Sequence, residues 1–62
     1  MIKRRKMETK FYILTRIDGE YAYLSDKESK EELFIAMALL PHSADIGSEL
    51  KYENMEFTLI EN

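Results

Sequence analysis

The sequence predicts an all-β fold, a small five-stranded barrel-like meander with one short helical turn. Two dense runs of β-branched and aromatic residues flank an Asp-Gly pair at positions 18 and 19, which is a strong hairpin signal. A second alternating run closes the chain at residues 55–60, and Pro41 ends the apolar stretch between the two hairpins. The expected architecture is SH3- or OB-like.

The first hairpin is predicted from the runs 11–17 and 21–24, with Gly19 supplying the positive φ of the turn. A two-residue loop pairs Ile13 with Leu24, and a three-residue loop with a glycine bulge places Ile13 beside Tyr23 instead. With the two-residue loop the core face holds Phe11, Ile13, Thr15, Ala22 and Leu24. The other face then holds Tyr12, Leu14, Arg16, Tyr21 and Tyr23.

The stretch from residue 29 to residue 41 carries conflicting signals. A capping box at 29–32 and apolar residues at helical spacing favour a helix over about 30–40, which gives the alternative of an α+β fold with two hairpins and one helix. The all-β prediction instead makes Leu33 to Ile35 a strand paired with Tyr21 to Ser25, and confines helix to one turn near Ala38 to Leu40.

The last hairpin is predicted from Glu49 to Tyr52 and Met55 to Ile60, around a Glu53-Asn54 turn. Its second strand alternates, with Met55, Phe57 and Leu59 on one face and with Glu56, Thr58 and Ile60 on the other.

Three strings of residues resemble a known family. They are R-I-D-G-E-Y-A at 16–22, L-L-P at 39–41 and A-x-x-G-x-x-L at 44–50. They are similar to the short bacterial proteins of the domain-of-unknown-function family numbered three thousand and six. The resemblance implies a small, mostly β, barrel-like domain, and it brings no activity, substrate or cofactor.

Charge divides the chain into a predicted flexible basic tail at 1–10 and a single small β domain at 11–62. The tail has a net charge of +4 and the remainder a net charge of −7. An acidic domain on average repels phosphates, so electrostatic attraction to nucleic acid would have to come from a local basic patch or from the tail cations. These are Lys3, Arg4, Arg5 and Lys6, with Lys10 further along.

The composition indicates a cellular compartment and excludes some kinds of chemistry. The chain has no cysteine, which excludes disulfides and thiolate chemistry and suggests a cytoplasmic location. The longest apolar run, 33–40, is far below the roughly 20 residues of a membrane span, and no secretory signal is expected at the N-terminus. We expect no cofactor, metal or membrane partner.

His42, Ser43 and Asp45 contain the residue types of a hydrolytic triad, but they lie in one short loop, whereas such a triad converges from separate elements. We therefore expect no enzyme and no catalytic residue, and we expect Asp45 or Ser43 to bond a neighbouring backbone N–H.

The expected binding residues are aromatic and lie with one arginine on a single sheet face. Such a face can hold a protein partner or a second copy of the chain. It can alternatively stack single-stranded nucleic acid, with the basic tail on the phosphates. The predicted set is Tyr12, Arg16, Tyr21 and Tyr23. The sequence therefore predicts a non-enzymatic interaction module.

Overall fold

The computed structural model describes residues 9–60, which form one antiparallel sheet of five strands. Its elements are β1 (Lys10–Asp18), β2 (Tyr21–Asp26), β3 (Glu32–Ala36), a 3₁₀ turn (Met37–Leu39), β4 (Glu49–Glu53) and β5 (Glu56–Ile60). The predicted all-β class with one short helical turn is confirmed. Lys10, predicted in the tail, is the first residue of β1 and pairs with Tyr52.

The sheet is barrel-like but is not closed. The strand order is β3-β2-β1-β4-β5, so β1 lies at the centre and pairs with β2 on one side and with β4 on the other. In a simple meander β4 would lie beside β3. Here the connection after β3, which is an edge strand, leads to β4 on the far side of β1, so the strand order differs from a meander. Within the described residues, β3 and β5 are the two edges of the sheet.

The alternative helix over 30–40 is wrong, because β3 pairs along its whole length with β2. Two local features support the strand. Lys30 has a φ of 69°, which no α-helix accommodates. The Asp26 carboxylate accepts the backbone N–H groups of Glu28 and Ser29 at 2.7 and 3.1 Å, and this turns the chain back toward β2. Pairing across the sheet thus overrides the local preference for helix.

The core lies on the concave face of the sheet. Leu14, Leu24 and Leu50 are 0% exposed and come from the three central strands. Half-buried apolar side chains surround them. They are Ile17, Leu33, Ile35, Met37, Ala44, Tyr52, Phe57 and Leu59. The predicted alternation of the last strand is confirmed at Phe57 and Leu59.

The face prediction for the first hairpin is wrong in the first half of β1. Leu14 pairs with Leu24 and Arg16 pairs with Tyr23, so Thr15 is an extra residue, a β-bulge. Because side chains alternate along a strand, one inserted residue inverts the faces on its far side. The bulge brings Tyr12 and Leu14 into the core and leaves Phe11 and Ile13 on the other face.

Both hairpin turns lie one residue later than predicted. The first loop is Gly19-Glu20, and its positive φ of 64° is at Gly19, the first central position, as in a type II′ turn. The second loop is Asn54-Met55, with φ values of 56° and 63°, as in a type I′ turn. Within residues 9–60, no helix is long and apolar enough to cross a membrane.

Candidate interaction surface

The convex face of the sheet carries a cluster of three aromatic rings and one arginine, which we name the aromatic patch. It consists of Arg16 on β1, Tyr21 and Tyr23 on β2, and Phe34 on β3. Cross-strand pairing brings them together, since Tyr23 lies opposite Arg16 on one side and opposite Phe34 on the other. The prediction that Arg16, Tyr21 and Tyr23 share a face is confirmed.

The rings of the patch contact one another in a row. The Phe34 ring stacks on Tyr21 with centroids 4.9 Å apart, and it meets Tyr23 at 4.8 Å with the planes tilted by 46°. The Arg16 guanidinium carbon lies 4.1 Å from the Tyr23 ring centroid, a cation–π contact. Each side chain is thus positioned by its neighbours within the patch.

The patch is apolar surface that the fold leaves in water. Tyr21 is 48% exposed and Phe34 is 54% exposed, while Tyr23, on the other side of Phe34, is half-buried. Exposed large aromatic side chains that adjoin one another are more informative than isolated ones, because they form a continuous surface for contact.

Carboxylates surround the patch. Asp18 lies opposite Tyr21 in the β1–β2 ladder, Glu20 precedes Tyr21 in the turn, and Glu32 lies two residues before Phe34 on the same face of β3. Residues 9–60 carry five basic and ten acidic side chains. The surroundings therefore favour neutral or cationic partner chemistry over phosphates.

Tyr12, the fourth predicted binding residue, lies on the opposite face from the patch. It is 8% exposed and its ring is 6.0 Å from Phe57, which also contacts Tyr52 at 4.6 Å. Burial raises the pKa of the Tyr12 phenol above its ordinary value, and the nearby Lys10 ammonium partly offsets that rise. Tyr12 is a core residue at the margin of a groove.

This groove opens on the concave side, between the two sheet edges. Its volume is about 560 Å³, and Tyr12, Tyr52 and Phe57 form part of its wall. Leu39 and Met55 stand at its rim, exposed to 61% and 84%. The groove exists because the sheet does not close between β3 and β5.

The loop after Pro41 is a tight turn. Asp45 accepts the N–H of Ile46 at 2.8 Å through its carboxylate, and it donates its own N–H to the Ser48 hydroxyl at 2.9 Å. The prediction that Asp45 bonds a neighbouring backbone N–H is confirmed. His42 is exposed. No group of three or more His, Cys, Asp or Glu side chains able to hold a metal ion occurs in the part of the chain that is described.

The predicted binding set does not include Phe34. The sequence predicts that residues 33–35 pair with β2 without defining the register, and only the register places the Phe34 ring between Tyr21 and Tyr23. The predicted tail cations Lys3, Arg4, Arg5 and Lys6 lie outside the described residues. Comparisons with protein-family models, with curated proteins and with solved structures give no match for the chain.

Proposed function

We propose that the protein is a non-enzymatic interaction module that binds a protein partner or itself through the aromatic patch. The observation that supports this most directly is the pair of exposed, stacked rings of Tyr21 and Phe34, with centroids 4.9 Å apart. Such a surface exposes apolar area to water, and burying that area against a partner is favourable in free energy.

The residue types of the patch match those that dominate protein interfaces. Tyrosine and arginine are enriched among the residues that contribute most to binding energy, since each combines apolar area with a polar group that tolerates water at the rim. The mutual contacts of Arg16, Tyr23 and Phe34 also restrict their rotamers in the free protein. Less side-chain entropy is then lost on binding.

Single-stranded nucleic-acid binding, the alternative predicted from the sequence, has less support from the patch. A base stacks on an open ring face, yet Arg16 covers the Tyr23 ring and Phe34 adjoins it as well. The neighbouring Asp18 and Glu32 also repel phosphates. A protein partner avoids both conflicts.

The test compares two variants in affinity capture from a lysate of the source cells. Tyr21→Ser combined with Tyr23→Ser removes two rings of the patch, and Ile46→Ser removes an exposed apolar side chain from a loop outside it. We expect a protein that the wild type and Ile46→Ser retain and the double variant loses. Purified, that protein should bind the wild type directly and bind the double variant at least about tenfold more weakly. Equal binding to all three chains contradicts the proposal.

Folding and nucleic-acid binding are checked on the same proteins. Thermal melts must show the double variant folded, and Tyr21→Ser alone replaces it if they do not. A single-stranded RNA oligonucleotide is then titrated at low salt. Affinity that falls steeply with added salt and depends on Tyr21 and Tyr23 would favour the nucleic-acid alternative over a protein partner.

A further inference from the structure

The outer edge of β3 lies beside the aromatic patch and pairs with no strand within residues 9–60. Two hydrogen bonds flank the β2–β3 ladder, from the Asp26 N–H to the Glu31 carbonyl at 2.9 Å and from the Met37 N–H to the Glu20 carbonyl at 2.8 Å. In an antiparallel ladder, residue pairs joined by hydrogen bonds alternate with pairs that share none. The pairs Asp26–Glu31 and Glu20–Met37 are in the same register as the ladder and are hydrogen-bonded. Counting inward from them, the other hydrogen-bonded pairs are Leu24 with Leu33 and Ala22 with Ile35.

The alternation leaves a defined set of backbone groups on the outer side of β3. The N–H and C=O groups of Glu32, Phe34 and Ala36 point away from β2, and no turn or loop bond within residues 9–60 uses them. An unpaired strand edge of this kind is a template for another strand. Protected edges often carry lysine, proline or a bulge, and β3 has none of these; its one charged residue is Glu32, at the start of the strand.

The residues of β3 are compatible with pairing to an identical strand. When two antiparallel copies meet with Phe34 opposite Phe34, each Glu32 lies opposite an Ala36 and each Leu33 lies opposite an Ile35. The free N–H and C=O groups of the three outward residues then all find partners. The two Glu32 side chains stay about 13 Å apart along the strands, so they repel each other little at physiological salt.

The aromatic patch extends across such a junction. Phe34 is the patch residue on the outermost strand and is 54% exposed. Directly opposite residues in a bonded pair lie about 5.5 Å apart at their Cα atoms, within the reach of two phenyl rings. The two patches would join into one row of rings, with an Arg16 at each end.

We propose that β3 binds β3 of a second copy of this chain, antiparallel and centred on Phe34, to form a dimer with one continuous ten-stranded sheet. This inference rests on the proposed function and names its partner. The other edge, β5, shows Glu56, Thr58 and Ile60 on the convex face, and none of these is aromatic. A five-residue edge buries less than the about 800 Å² per partner of a standard interface, so the dimer depends on protein concentration.

Ala36→Pro tests the pairing while leaving every ring in place. Ala36 has a φ of −73°, which proline adopts without strain, and its N–H points to the open edge. The substitution removes the hydrogen bond that the Ala36 N–H would donate to the second copy, and it places the proline ring where the second strand would lie. Sedimentation should show wild type and Ala36→Ser in equilibrium with a species of twice 7.4 kDa. Ala36→Pro should weaken this equilibrium about tenfold or more.

Amide hydrogen exchange gives a site-specific measurement on the wild type. Protection of the Phe34 amide should rise with protein concentration, while that of Leu33, which is already bonded to β2, should not. A wild type that stays monomeric overturns the inference and leaves a different protein partner open. A dimer that survives Ala36→Pro but is lost with Tyr21→Ser and Tyr23→Ser overturns the strand pairing alone. Thr58 lies on β5, the other edge strand. If Thr58→Lys abolishes the dimer and Ala36→Pro does not, the dimer contact is formed by β5 and the proposed β3 pairing is wrong.

Discussion

The two hairpins of this sheet follow the alternation of their sequences to different degrees. In the β4–β5 hairpin the ladder is continuous, and Phe57 and Leu59 lie on the concave face that their spacing predicts. In the β1–β2 hairpin the register shifts between Leu14 and Arg16, and the faces invert on one side of that point. The alternation of apolar and polar residues along a strand therefore predicts which sheet face each side chain occupies only where no bulge interrupts the ladder.

Deletion of Thr15 should make the first hairpin as regular as the second, because the pairs Leu14–Leu24 and Arg16–Tyr23 then follow one another directly. Alternation along the shortened strand keeps Tyr12 and Leu14 in the core and Arg16 on the other face. Leu14 is 0% exposed, and its burial alone contributes about 1.5–3 kcal/mol. We therefore expect the deletion variant to stay folded by circular dichroism. Leu14→Ala should instead cost the most, about 2–5 kcal/mol of unfolding free energy in urea denaturation, because it empties this buried site.

Thr15→Ala is the matched control, because it keeps the bulge. It removes only the hydrogen bond from the Thr15 hydroxyl to the Tyr23 carbonyl, 3.0 Å long and exposed. The cost should be within about 1 kcal/mol in urea denaturation. A deletion variant that is unfolded where Thr15→Ala is folded would contradict the register in which Thr15 is the extra residue.

Two tyrosines of the first hairpin lie on opposite faces of the sheet and should differ in their contribution to stability. Tyr12→Ser should cost about 3 kcal/mol of unfolding free energy, because it empties a site that is 8% exposed beside Phe57. Tyr23→Ser should cost about 1–2 kcal/mol, mostly through lost contacts with Phe34 and Arg16. The urea midpoints of the two variants show which substitution costs more. A larger loss for Tyr23→Ser than for Tyr12→Ser would refute the assignment of the two residues to the sheet faces.

The two turns should respond to substitution with opposite signs. Gly19→Ala adds a Cβ that meets no atom within 4 Å, so its cost of about 1 kcal/mol comes from the positive φ alone. Met55 has nearly the same φ, 63°, and Met55→Gly should stabilise the protein by about 1 kcal/mol. Equal thermal melts for Met55→Gly and wild type would contradict the type I′ geometry of the second turn.

Asp26, at the end of the first hairpin, gives the smallest expected effect. The N–H groups of Ser29 and Glu28 hold the pKa of its carboxyl below the ordinary value. A carboxyl with a lowered folded-state pKa stabilises the fold above its unfolded pKa of about 3.9, and this stabilisation is lost as the pH falls through the folded pKa. The melting temperatures of wild type and Asp26→Asn should therefore converge as the pH drops below about 4. A constant difference would exclude this role.

Much of the fold follows from local patterns. The five strands and the short helical turn are predicted, because turn residues and alternation are encoded within a few positions. The candidate surface is predicted only in part. Arg16, Tyr21 and Tyr23 lie on the same side of the bulge and share a face, whereas Tyr12 lies beyond the bulge and enters the core.

Local sequence patterns predict the positions of both hairpins to within a residue and the acidic character of the described domain, but they are compatible with both an all-β and an α+β fold. The tertiary structure alone decided three further features. It selected strand over helix at Leu33 to Ile35, since pairing with β2 provides hydrogen bonds that no local preference reveals. It placed the bulge at Thr15. It also brought Phe34 between Tyr21 and Tyr23, because contacts between strands depend on register, and register is a property of the assembled sheet.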